Sequence, residues 1–117
     1  MSKSYAMALD LKDDEKLIQE YIEYHKAVWP EALDSLSSLG IEKMKIFLMG
    51  RRLFMYLEVP DEFDFPTDFA RYIEVPRAKE WDEFMRGFQE KVPSAKPDEW
   101  WAQMEQVWDL RDWPPES

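Results

Sequence analysis

His25 is the only histidine in this 117-residue chain, and there is no cysteine, so few side chains can move a proton near neutral pH. Tyr21 stands four residues earlier, a spacing that puts a phenol and an imidazole on one face of a helix. A second phenol, Tyr24, adjoins them, and Trp29-Pro30-Glu31 follows. An imidazole can act as general base and general acid in turn without cofactor help. Phenols and an indole around it suit a sugar or another hydroxylated ring. The same residues also describe a histidine that simply fills an apolar core, so the chemical reading rests on its neighbours. Tyr21, Tyr24, Glu31, Asp82 and Glu105 are the groups available to share proton transfer with it.

Other chemistries lack their parts. Without cysteine there are no disulfides, thiolate nucleophiles or cysteine-ligated metals. One histidine and no Asp-rich calcium loop give no expectation of a metal site. Glycines at 40, 50 and 87 are too dispersed for a phosphate-binding loop, and there is no Gly-x-Ser-x-Gly elbow. No cofactor is expected. Twenty-five acidic against fifteen basic residues give a net charge of −10. That balance opposes nucleic-acid phosphates and anionic membrane surfaces, leaving small neutral molecules such as monosaccharides, and other protein chains, as partners. The N-terminus carries no apolar signal-peptide core and no segment is long enough to span a bilayer, so a cytoplasmic protein is expected.

The length is that of one domain, residues 1–117, and 45% hydrophobic with 15% aromatic residues is too apolar for a disordered chain. Tyr5, Met7, Leu9 and Leu11 alternate with small or polar residues, predicting a strand. Asp13 offers an N-cap for a helix whose inner stripe runs Leu17, Ile18, Tyr21, Ile22, His25, Val28 and Trp29, with a bend or break at Pro30. Pro30 opens a second helix that Gly40 terminates. Lys43–Met49 and Leu53–Val59 form a hairpin around Gly50-Arg51-Arg52. After a connection over Pro60–Pro66, Thr67 or Asp68 caps a short helix. Pro76 then starts another, carrying Trp81, Phe84, Met85 and Phe88. Trp101 or Ala102 to Leu110 reads as the last strand, and 111–117 as a Pro-rich tail. The order β-α-β-β-α-β is the split βαβ of ferredoxin-like folds: an α+β domain with an antiparallel sheet and helices on one face.

Strands 43–49 and 53–59 are apolar on both parities: Leu53, Met55 and Leu57 on one, Phe54 and Tyr56 on the other, with Phe47 and Met49 opposite Ile46 and Leu48. The chain's own helices cover one face, so the second is expected to meet another copy in a homodimer of the α/β-barrel type. The alternative is the tail folding over it. The six tryptophans, Trp29, Trp81, Trp100, Trp101, Trp108 and Trp113, could serve core, dimer contact or sugar platform.

Tyr21-x-x-x-His25-x-x-x-Trp29-Pro30-Glu31, then Gly40 and Lys43–Leu48, resembles the L-rhamnose mutarotase family. Trp81 after Pro76 also fits, and the ending Glu99-Trp100-Trp101-Ala102-Gln103-Met104-Glu105-Gln106-Val107 resembles its L-fucose-type branch. The resemblance spans about Ser4 to Leu110. It implies a dimeric ferredoxin-like enzyme that interconverts the α and β anomers of a 6-deoxy-hexose, with His25 catalytic and Tyr21 and Trp81 contacting substrate. Two positions depart. Asp82 stands where the family has the second tryptophan of a pair, and Met44 where it has a strand tyrosine. Both concern sugar contact, so the resemblance favours L-fucose or a related deoxy-sugar over L-rhamnose. Two further readings compete: a ferredoxin-like monooxygenase or haem-degrading enzyme, which haem titration would reveal, and a sugar-binding module without catalysis.

Overall fold

The computed structural model describes residues 2–110; Met1 and 111–117, including the Pro-rich tail, lie outside the described residues. Strand β1 (Ser2–Leu11) follows the expected alternation, with Met7, Leu9 and Leu11 wholly buried. It pairs antiparallel with β3 (Arg52–Pro60) from Ser2↔Pro60 to Asp10↔Arg52, and β3 pairs in turn with β2 (Lys43–Met49). The β2–β3 loop is Gly50-Arg51. Gly50 has φ +63° and Arg51 does not have positive φ, so glycine supplies the left-handed position at the first turn residue.

Among the described residues, four α-helices pack over one face: α1 (Glu15–Tyr24), α2 (Pro30–Ser38), α3 (Phe65–Phe69), continued by a 3-10 turn over Ala70–Glu74, and α4 (Pro76–Arg86). Leu53, Met55, Leu57 and Val59 of β3 bury against Tyr21, Ala32, Tyr72, Trp81 and Met85 from the helix layer. Each such aliphatic side chain withdrawn from water contributes about 1.5–3 kcal/mol, the main force holding the layers together. The architecture is the ferredoxin-like α+β fold expected from the element order.

Several boundaries differ from the sequence expectation. The α1 cap is Asp14 rather than Asp13: its carboxylate accepts from the backbone N–H of Lys16 and Leu17. Adjacent aspartates offer the same capping chemistry, so residue type does not distinguish them. Helix α1 stops at Tyr24, well before Pro30. Lys26 and Ala27 bond to carbonyls three residues back, tightening the turn while Pro30 holds Trp29 extended. Helix α3 starts earlier than expected, capped by Asp64, whose carboxylate accepts from Thr67 N–H.

The largest correction concerns the last strand. In place of a strand to Leu110, two short ones share the outer edge of β1: β4 (Gln89–Glu90) against Asp10 and Leu11, and β5 (Ala102–Gln103) against Met7 and Ala8. The ladder ends with Met104 N–H on the Ala6 carbonyl. Beyond it, the apolar pattern of Met104, Val107, Trp108 and Leu110 is exposed, Val107 to 86%. Alternation marks which residues can share a face, but a strand also needs an edge to pair with.

The second sheet face carries Ala6 and Ala8 of β1, Phe54 and Tyr56 of β3, and Phe47 and Met49 of β2. Phe47 is 54% exposed and Met49 80%. At one end the buried Asp10 carboxylate is paired with the Arg52 guanidinium across the strands.

Candidate functional site

Ending α1 at Tyr24 puts His25 at its C-cap, where backbone carbonyls lose their helical partners. The His25 ring Nδ1 lies 3.0 Å from the Tyr21 carbonyl oxygen. A carbonyl can only accept, so Nδ1 carries the proton and the neutral ring presents a lone pair at Nε2. Burial lowers the pKa of His25 below the ordinary 6.5, against the opposing pull of that backbone hydrogen bond. Near neutral pH the ring is therefore an uncharged base.

Tyr21 packs beside it, ring centroids 4.2 Å apart, and is itself buried. Burial pushes the Tyr21 phenol up to about 12, only partly offset by a hydrogen bond from Gln89, so it stays protonated. Gln89 Nε2 donates to the phenol oxygen at 3.3 Å, and Gln89 Oε1 accepts from Trp100 Nε1 at 2.8 Å. From α4, Trp81 sets its ring edge-on to His25 at 5.6 Å and to Trp29 at 5.3 Å. Trp29 is fixed by stacking on Phe84 and by the Arg77 guanidinium 4.2 Å over its ring. One residue after Trp81, the Asp82 carboxylate accepts from Arg86 Nε at 3.0 Å, and Arg86 lies 4.7 Å over Trp100.

These side chains border a cavity of about 620 Å³ between the helices and the sheet. Its sheet wall is Met44, Ile46, Leu48, Leu53 and Met55; its helix wall includes Tyr21, His25, Val28, Leu36, Trp81 and Asp82. The volume falls in the usual range for small-molecule sites, and so does the mix of apolar wall with few polar groups. Each of His25, Tyr21, Trp81, Asp82 and Met44 lines this one space. The remaining proton-transfer candidates do not. Tyr24 is 40% exposed and packs on Phe84 and Phe88, while Glu31 and Glu105 point into solvent.

Gln89 and Tyr72 are among the polar residues of the cavity that had no part in the sequence reading of the site, as are Ser37, Glu42 and Lys43. Burial raises the Tyr72 phenol above its ordinary value, with the charge of Asp82 and then Tyr21 adding to the effect. Spacing alone marks Tyr72 as a core aromatic, and Gln89 falls just past a helix end, where no periodicity operates. The one available signal is a glutamine between Phe88 and Val92, a polar side chain in an apolar neighbourhood. Among the described residues, no three His, Asp or Glu side chains converge as metal ligands would.

The profile of the L-rhamnose mutarotase family matches residues 4–110. A UPF0734 protein of Dictyostelium discoideum is 53% identical over 115 residues, covering 95% of this chain and 91% of that protein. An L-fucose mutarotase of Xanthomonas campestris pv. campestris is 36% identical over 106 residues, covering 89% of this chain and 85% of that enzyme. Among solved structures, an L-rhamnose mutarotase from Formosa agariphila superposes with TM-score 0.63 at 23% identity, over 92% of this chain and 98% of that one. Tetracenomycin F2 cyclase from Streptomyces glaucescens, a type-II polyketide cyclase, also reaches 0.63, at 12% identity over 92% and 95% of the two chains. Equal fold likeness to a mutarotase and a cyclase shows that the fold does not select the chemistry. The sequence match does: the chain belongs to the L-rhamnose mutarotase family, a family of sugar isomerases.

Proposed function

We propose that this protein is a cytoplasmic, cofactor-independent mutarotase for a 6-deoxy-hexose of the L-fucose or L-rhamnose class. His25 acts as the base and Tyr21 as the acid. The observation that carries this reading is the Nδ1 hydrogen bond of His25 to the Tyr21 carbonyl, which leaves Nε2 as the acceptor beside a protonated phenol.

In the proposed reaction, Nε2 takes the proton of the anomeric hydroxyl as the C1–ring-oxygen bond breaks and C1 becomes an aldehyde. The ring oxygen takes the Tyr21 proton. After rotation about C1–C2, the hydroxyl attacks the other face of the carbonyl, its proton returns to Tyr21, and His25 returns a proton to the new anomeric oxygen. Every atom and proton is restored, so nothing needs to be supplied. Acid–base assistance of this kind is typically worth about a hundredfold to ten-thousandfold. Trp81 offers an indole to the C–H face of the sugar.

The exchange of Asp82 and Met44 for the aromatic residues of the L-rhamnose pattern supports L-fucose as the preferred sugar, as does the likeness to an L-fucose mutarotase. Polar groups built to pair certain hydroxyls are left unsatisfied by an epimer. Magnetisation-exchange NMR on both sugars tests this, with faster anomer exchange expected for L-fucose. Binding without accelerated exchange would make the chain a sugar-binding module instead.

The proposal includes a homodimer through the second sheet face. Exposed Phe47, tilted against Phe54 at 5.9 Å, supports it. Light scattering that shows a 14.1 kDa particle at micromolar concentration would refute it.

A further inference from the structure

We infer that Gln89, locked by Trp100, is a positioning residue that aims the Tyr21 hydroxyl proton into the cavity. The inference deepens the mutarotase reading and rests on it. An indole N–H can only donate, so the Gln89 atom 2.8 Å from Trp100 Nε1 has to be the amide oxygen. The amide nitrogen then faces Tyr21, 3.3 Å from the phenol oxygen. Because that oxygen accepts from the amide, its own proton is left to point elsewhere. Gln89 is its one hydrogen-bond partner among the described residues, and the phenol borders the cavity.

The lock is tight for physical reasons. Gln89 is 5% exposed, so neither end of its amide can exchange its partner for bulk water. Its backbone is pinned in β4 against Leu11 of β1. Trp100 is held beneath the Arg86 guanidinium, and Arg86 is bonded to Asp82. A flipped amide would set its N–H₂ against the indole N–H and its oxygen against the phenol. The first contact loses a hydrogen bond, and the second draws the Tyr21 proton away from the cavity. The amide has a second use during reaction: the same N–H that orients the phenol stabilises the phenolate that forms when the proton leaves.

Assayed at alkaline pH, where its carboxyl is ionised, Gln89→Glu separates orientation from packing, because it keeps the shape and the acceptor for Trp100 while presenting only an acceptor to Tyr21. Its kcat for anomer exchange is expected to fall about tenfold or more, with KM held within about twofold, as befits a group acting on the proton donor rather than on sugar binding. Trp100→Phe keeps the glutamine but frees the amide to flip; a smaller fall, again in kcat, is expected, and this variant decides the matter if the first does not fold. Unchanged kcat in a folded Gln89→Glu, or in Trp100→Phe, overturns the inference.

A readout that does not need turnover is the indole ¹⁵N–¹H signal of Trp100, assigned by its disappearance in Trp100→Phe. It is expected to exchange slowly with solvent in the wild type, and to shift and exchange faster in Gln89→Met. An indole signal indifferent to Gln89→Met overturns the lock. Wild-type protein that accelerates anomer exchange of no aldose defeats the mutarotase reading, and the indole signal then decides the lock by itself.

Discussion

Alternate residues of the same strands build the two faces of the sheet, and the two faces differ in what lies on them. On one, Leu53, Met55 and Leu57 sit beneath helices, and the first two help to wall the cavity. On the other, Phe47, Phe54 and Tyr56 are as aromatic as a core but exposed or half-buried. Composition does not separate them, since the open face carries the larger rings. The difference lies in the helix layer: two prolines, Pro30 and Pro76, start helices that turn Ala32, Ala78, Trp81 and Met85 onto the first face. A strand pattern thus reports that a face wants cover, and the connecting segments determine which face receives it from within the chain.

Substitutions can test that contrast. Leu57 is fully buried on the covered face, and Leu57→Ala is expected to cost about 2–5 kcal/mol in chemical denaturation, the range for emptying a packed site. Phe54→Ala, on the opposite face of the same strand, should leave the isolated subunit's stability within about 1 kcal/mol, below the usual range for a buried site. A loss as large as that of Leu57→Ala would mean that the second face is sealed within the subunit.

His25→Asn should lower anomer exchange by at least about a hundredfold, or about 2.7 kcal/mol of barrier, while melting temperature and oligomeric state stay put. Wild-type exchange in that variant would remove His25 from the reaction. Phe47→Glu puts a charge on the open face and should leave a 14.1 kDa monomer by light scattering, with the cavity undisturbed.

The smallest effect is in pH. The folded-state pKa of His25 lies below the ordinary 6.5, so between the two values the unfolded chain binds more protons than the folded one. Its contribution to stability is complete above about 6.5 and declines as the pH falls through the folded value. Acid denaturation profiles of wild type and His25→Asn should diverge in that window; superimposed profiles would show that burial does not hold the ring neutral.

How far the molecule was legible in the sequence follows from which forces are local. The alternation of Met7, Leu9 and Leu11, the glycine turn at Gly50 and the prolines opening α2 and α4 are short-range signals, and each element stands where they put it. The stretch Met104–Leu110 has a strand's pattern too, but pairing depends on a partner elsewhere in the chain, and after the Met104 N–H reaches the Ala6 carbonyl the pairing with β1 stops. In the cavity, Tyr21, His25 and Trp81 come from helical stripes, where spacing reports direction. Gln89 lies 68 positions from Tyr21 and 11 from Trp100. No local rule relates them, so the amide that bridges them emerges only from the folded chain.

The hydrogen bond from the His25 ring ends on a main-chain oxygen. Every amino acid at position 21 brings the same carbonyl, so the tautomer of the base is insulated from the identity of that side chain. Position 21 can then be varied by evolution or by an engineer to try other acids, or other sugars, without retuning the imidazole. The two halves of the proposed proton relay touch in space but are inherited separately: one is written into the turn of a helix, the other into a replaceable phenol.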